Sequence, residues 1–168
     1  MDEFVILAAQ QLDRIKVLCD QSGLKYLDLA PQVIGAGIAI GFGQTDYVIV
    51  SVMGGGNENQ LMITGGILNE IRQDRLVALE AANHFNQGNT AYPVFLHDAE
   101  VGWALIMQQT HPIEVLLDAP QYFNNCVRAL PQVVIECRST ISEKWALGGR
   151  PWFWNAEDQN ALLIRSMM

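Results

Sequence analysis

The chain has 168 residues, half of them hydrophobic and 17% charged, a composition that supports one domain with its own core and excludes a disordered chain. Its formal charge is −8 and its pI is near 4.7. Binding to nucleic acid or to an anionic membrane surface needs clustered Lys and Arg, so neither partner is expected.

Met1 is followed by Asp2 and Glu3 rather than by a basic stretch, and no apolar run approaches the ~18 residues of a membrane span. The expectation is a cytoplasmic protein. Cys19, Cys126 and Cys137 each fall in a segment with helical spacing, as reduced, partly buried thiols would.

Phe4, Leu7, Ala8, Leu12, Ile15, Leu18 and Cys19 recur at helical intervals and predict a helix over 3–21, closed by Gly23. Asp2 and Glu3 sit at its positive end. Residues 24–29 read as a short strand or an extended lead-in, stopped by Pro31. Residues 33–43, VIGAGIAIGFG, alternate between a bulky face (Ile34, Ile38, Ile40, Phe42) and a nearly bare one (Gly35, Gly37, Ala39, Gly41). That is a strand whose bare face lets a helix or another backbone come close. A turn, a strand over 47–53, a Gly-rich connection over 54–59 and a third strand over 61–64 follow.

Asp74 is placed to cap a helix that starts at Arg75 and ends at Gly88. Leu76, Leu79, Ala82 and Phe85 recur every three residues and give its expected apolar stripe. From Ala91 the period changes to two. Tyr92, Val94 and Leu96, a polar turn over 97–100, then Val101, Trp103, Leu105 and Met107 predict a hairpin. Pro93 has no amide to donate, so its strand lies at an edge or begins late. Residues 113–117 fit either a short strand or a helical turn. Asp118, Pro120 and Gln121 read as the start of a long helix, with Asp118 as cap. Its apolar positions run from Tyr122 and Phe123 to Ile141, and Pro131 is expected to kink or divide it.

The expected fold is α+β, an antiparallel β-sheet with helices packed on it, in the order α-βββ-α-ββ(β)-α. It covers residues 1–148, with an aromatic tail and a short helix over 149–168.

Residues that could carry chemistry are few. VIGAGIAIG begins like a dinucleotide fingerprint, but Ile40 stands where the third glycine belongs, and the alternation runs on where a helix should begin. GGGNENQ lacks the Lys-Ser/Thr of a phosphate loop. His84, His97 and His111 lie on a helix, a turn and a loop, without metal-ligand spacing. Ser139, Ser142 and Glu143 form no nucleophile–base pair of recognisable context. No catalytic residue, cofactor or metal ligand is assigned.

Trp152, Phe153 and Trp154 are the conspicuous residues. Left exposed together they would form a patch of about 450–750 Å², at or above the largest on a typical monomer. They plug the chain's own core, or they form a partner or dimer contact that Leu162 and Leu163 extend.

Residues 76–86, LVALEAANHFN, resemble the helix of YbjN-like proteins that ends in an Asn-x-x-Asn or Phe-Asn pattern before a strand. The order of elements over 3–147 is similar to that of class I type III secretion chaperones, with which the YbjN-like proteins are grouped. The resemblance implies a type III secretion chaperone-like fold with no catalytic residue and no cofactor. It also implies a homodimer that binds extended segments of a protein partner along hydrophobic surface. The PWFW tail departs from it. Two other readings stand beside it. One is a small-ligand or nucleotide-binding protein, or an enzyme, that uses the Gly-rich strand. The other is an acidic immunity or adaptor protein that neutralises a basic partner.

Overall fold

The computed structural model describes residues 3–29, 35–42, 46–53, 60–88, 91–99 and 101–151. The elements are α1 (Glu3–Gln21), β1 (Lys25–Asp28), β2 (Gly35–Phe42), β3 (Asp46–Met53), β4 (Gln60–Ile71), α2 (Arg75–Gly88), β5 (Val94–Asp98), β6 (Trp103–Pro112), α3 (Ile113–Asp118) and α4 (Pro120–Trp145). The strands form one antiparallel sheet in the order β1-β2-β3-β4-β6-β5, with helices packed on it. The α+β fold read from the sequence is the fold found. Residues 25–28 do pair as a strand, so four strands precede α2, and the ambiguous stretch 113–117 is helical. The chain forms two compact units, Met1–Ile63 with Thr110–Leu130, and Thr64–Gln109 with Pro131–Met168.

In the first unit α1 lies against β2 and β3, burying Ala8, Leu12, Ile15, Leu18 and Cys19. Gly23 ends the helix with φ +67°, which brings the Leu24 amide back to the Cys19 carbonyl at 2.9 Å. β2 is antiparallel to both neighbours, with Gly41 opposite Lys25 and Gly37 opposite Ser51. No helix starts at Gly37, so nothing there offers a pyrophosphate the helix N-terminus that a dinucleotide site needs. At Gly37 the bare side of the strand is filled from within the unit, whereas Gly41 has open space beside it. A Cβ on Gly37 would lie 3.3 Å from Leu29 Cδ1 and 3.2 Å from the Val50 carbonyl. The bulky side, with Ile38, Ile40, Val48, Val50 and Val52, is buried. Asp28 stands opposite Ile38 on that side, and Lys16 of α1 meets it at 2.6 Å. The carboxylate of Asp28 raises the Lys16 pKa above its usual value, against the opposing pull of desolvation.

In the second unit the Asp74 cap forms as expected: its carboxylate accepts from the Leu76 amide at 2.8 Å. The stripe expected on α2 is displaced. Ala78, Ala81 and Ala82 are buried, whereas Leu76 is 61% exposed. Steps of three residues drift by about 60° each around a 3.6-residue helix, so 76, 79, 82 and 85 cannot share one face. The alanines let the helix approach β5 closely. Gly88 ends α2 without a left-handed φ: among the described glycines only Gly23 and Gly102 have positive φ. β4 does not stop at Thr64 but runs on through Gly65 and Gly66 to Ile71. Arg138 of α4 donates to the Ile67 carbonyl at 2.7 Å and the Gly66 carbonyl at 3.1 Å.

α4 is continuous through Pro131. Phe123, Val127, Leu130, Val134, Cys137 and Ile141 keep one buried face across it, so burial outweighs the one missing backbone bond. Asp118 closes α3 rather than capping α4; the Ala119 carbonyl receives the first amides of α4, from Tyr122 at 2.9 Å and Phe123 at 3.2 Å.

β5 begins immediately after Pro93, at the sheet edge, as its proline requires. The Pro93 carbonyl accepts from Gln108 at 3.1 Å. In an alternating ladder the backbone groups of Val94 therefore face away from β6. Asn86 of α2 takes both: its Oδ1 accepts from the Val94 amide at 2.7 Å and its Nδ2 donates to the Val94 carbonyl at 2.8 Å. Asn86, at the end of LVALEAANHFN, thus has a physical role, because its carboxamide replaces a strand that β5 lacks. Asn86→Ala should lower stability by about 1–3 kcal/mol, the cost of leaving part-buried backbone groups unpaired. It would be read as a lower urea midpoint at unchanged m-value; an unchanged midpoint would show that water serves Val94 equally well.

Candidate interaction site

Where α4 ends, the chain turns back onto β4 of the second unit. Ala146 takes a left-handed φ of 50°, and its carbonyl accepts from Gln73 Nε2 at 3.1 Å. Leu147 is buried. Gly149 then passes so close to β4 that a Cβ would lie 2.8 Å from the Asn69 carbonyl and 2.9 Å from Ile71 Cγ1; only glycine fits. Arg150 completes the contact. It forms an antiparallel bridge with Asn69, its amide donating to the Asn69 carbonyl at 2.9 Å and its carbonyl accepting from the Asn69 amide at 2.8 Å. Its guanidinium reaches Glu70 Oε1 at 2.8 Å. Glu70 has a φ of 55°, a region that costs a non-glycine residue about 1–3 kcal/mol unless its surroundings hold it. Residues 68–71 therefore make a short slot that takes an extended Gly-Arg pair. The grip is light: two backbone hydrogen bonds are worth roughly 0.5–1.5 kcal/mol each, and an exposed ion pair about 0–1 kcal/mol.

Trp152, Phe153, Trp154, Leu162 and Leu163 lie outside the described residues. What the structure fixes is the point from which they start, at Arg150 on β4. The residues of that anchor, Asn69, Glu70 and Gln73, were not legible as a site. Gly148-Gly149 carried the one signal, since paired glycines before a bulky tail mark close backbone approach as well as a boundary.

Other features are smaller. In the first unit, α1 and α3 are joined by Arg14 and Glu114 at 2.9 Å. Ile6 and Leu7 of α1, Val115 of α3 and Tyr122 in the first turn of α4 are 42–50% exposed. In the second unit, Lys144 Nζ lies 3.2 Å from His84 Nε2 and the His84 and Trp145 rings are 4.9 Å apart. Burial pushes the Cys19 and Cys137 thiols up to about 12, which leaves them unreactive at neutral pH. Among the described residues no three His, Cys, Asp or Glu come together as metal ligands, and no helix is long and apolar enough to cross a membrane.

His111 meets Tyr122 edge-on at 5.6 Å. Its Nε2 is buried without a partner, and burial lowers its pKa below the ordinary 6.5.

No family model matches the sequence, and no curated protein matches it significantly. Two solved structures are similar in fold. One is an uncharacterized protein from Methanothermobacter thermautotrophicus, at a TM-score of 0.57 and 10% identity, over 80% of this chain and 99% of that one. The other is YbjN from E. coli, described as a candidate transcription regulator, at a TM-score of 0.54 and 12% identity, over 83% of this chain and 96% of that one. The chain has a YbjN-like fold; neither of the two structures is described as a type III secretion chaperone.

Unfolded, His111 binds its proton at a higher pH than when folded. Its contribution to stability is therefore full above about pH 6.5 and is lost as the pH falls below that value. Between about pH 7.5 and 5, the urea midpoint of the native chain should fall more than that of His111→Gln; equal falls would remove His111 as the cause. Gly149→Ala should cost about 1–3 kcal/mol, the usual cost of forcing a methyl into a packed site, and lower the thermal midpoint. No change would mean that the slot does not hold Arg150 in solution.

Proposed function

We propose that the chain is a non-enzymatic protein-binding domain, chaperone-like or regulatory, that works in the cytoplasm as a homodimer. It holds its protein partner through hydrophobic surface, with Trp152, Phe153, Trp154, Leu162 and Leu163 as part of the contact. The observation that carries this reading is the set of large apolar side chains left outside the core of the first unit: Ile6, Leu7 and Val17 on α1, Leu27 on β1, Val115 on α3 and Tyr122 on α4, each more than two-fifths exposed. α1 and α3 are in contact and tied by the Arg14–Glu114 pair, so most of these side chains lie on elements that move together. Rimmed by charge and carrying aliphatic and aromatic groups, such a surface suits an extended apolar segment of another protein. The likeness in fold to YbjN, described as a candidate transcription regulator, supports a regulatory role over a catalytic one. A role in secretion is the narrower form of the same reading, in which the partner would be an exported protein held unfolded.

The test is site-specific photocrosslinking in the native host. A crosslinking side chain at Val115 or Tyr122 should give discrete adducts with another protein, while one at the exposed polar position Gln132 should give none. Absence of adducts at Val115, Tyr122 and Trp152 alike would contradict the reading.

A further inference from the structure

We infer that the slot on β4 is an exchange site between two copies of this chain: residues 68–71 of one copy take Gly149 and Arg150 of the other, and the tail that follows goes with them. The inference rests on the homodimer reading above and names the contact that would make it.

Four observations, all within the second unit, lead there. First, the slot is specific. It accepts an extended backbone with both an amide and a carbonyl aimed at Asn69. It excludes any Cβ at the position of Gly149, and it sets Glu70 against the next side chain at 2.8 Å. Second, its occupant is a segment of this chain, so a second copy brings the same Gly-Arg pair without any new chemistry. Third, the connection is short and strained. Residues 146–149 separate the end of α4 from Arg150, and Ala146 at φ 50° is held left-handed in order to turn the chain back. Straightening residues 146–149 relieves Ala146 and sends Arg150 away from its own β4. Short hinges under strain are where chains exchange identical elements, because the exchanged contacts equal the lost ones and the hinge strain is relieved. Fourth, the contact at the slot itself consists of one bridged residue pair and one half-exposed ion pair. Releasing it through residues 146–149 also gives up the Gln73–Ala146 hydrogen bond and the cover over Leu147, but none of the pairing between strands. Only Pro151 separates Arg150 from Trp152, Phe153 and Trp154, so an exchange of Arg150 takes the start of the aromatic stretch to the other copy.

Charge reversal separates an exchanged contact from an internal one. Glu70→Arg and Arg150→Glu, made in separate full-length chains, each set like charges together, whether the contact is internal or between identical copies. Mixed, the two chains complement each other in both slots, but only between copies. E70R/R150E in one chain restores the pair internally and serves as the control for folding. In sedimentation at micromolar concentration, the mixture should run at twice the 18.7 kDa of a single chain, and each single variant should associate at least ten-fold more weakly. A mixture that stays at single-chain mass overturns the exchange. If the native chain is nonetheless a dimer, the homodimer reading survives and its interface lies elsewhere. Single variants that dimerise as strongly as the mixture also overturn it. Should either single variant fail to fold, Asn69→Cys and Arg150→Cys chains replace them. These positions face each other across the bridge, within disulfide range. Mixing should give a covalent heterodimer on a non-reducing gel, and recovery of monomers alone overturns the inference.

Discussion

A strand that ends inside a protein leaves backbone amides and carbonyls with no ladder to join, and each one left unpaired and buried costs on the order of 1–3 kcal/mol. Much of the second unit answers that constraint. Asn86 takes both groups of Val94 where β5 has no outer neighbour. Arg138 takes the carbonyls of Gly66 and Ile67. Arg150 takes both groups of Asn69. In each case a residue from a helix, or from the segment after one, acts as a short piece of strand. At these three points the sheet is completed by such residues rather than by a further strand.

The three closures differ in how readily they can be undone. Asn86 is fixed on α2, and Arg138 lies about two turns inside the end of a 26-residue helix, so both move only if a helix moves. Arg150 is joined to α4 through residues 146–149, with a left-handed alanine and two glycines among them. One closure of the sheet can thus be released while the rest of the fold stands. It is also the closure that carries the aromatic tail. That link between local backbone chemistry and the tail connects the fold to the proposed protein-binding role.

Several strands were legible in the sequence because their signals are local, although β4 was read only as far as Thr64. The alternation in residues 35–42 and the proline before Val94 determine strand and edge without reference to the rest of the chain. The Asp74 cap and Gly23 were legible for the same reason. α2 shows where local reading falls short. Its leucines looked like the buried stripe, but the sheet needed a close approach, so alanines were buried and Leu76 was left outside. Pro131 read as a break because its missing amide is local, while the buried face that carries the helix through it is not. The slot on β4 was least legible. Glu70 and Asn69 have no pattern of their own and acquire a role only from Arg150, 80 residues away in the sequence.

Amide hydrogen exchange on the full-length chain tests the central claim most directly. If the sheet of the second unit is closed by these substitute partners, the amides of Val94, Asn69 and Arg150 exchange slowly, Arg150 somewhat faster than the other two because its closure opens alone. Exchange of Asn69 and Arg150 at the rate of a free peptide, with Val94 still protected, would mean that the tail is not part of the folded sheet and would contradict the account.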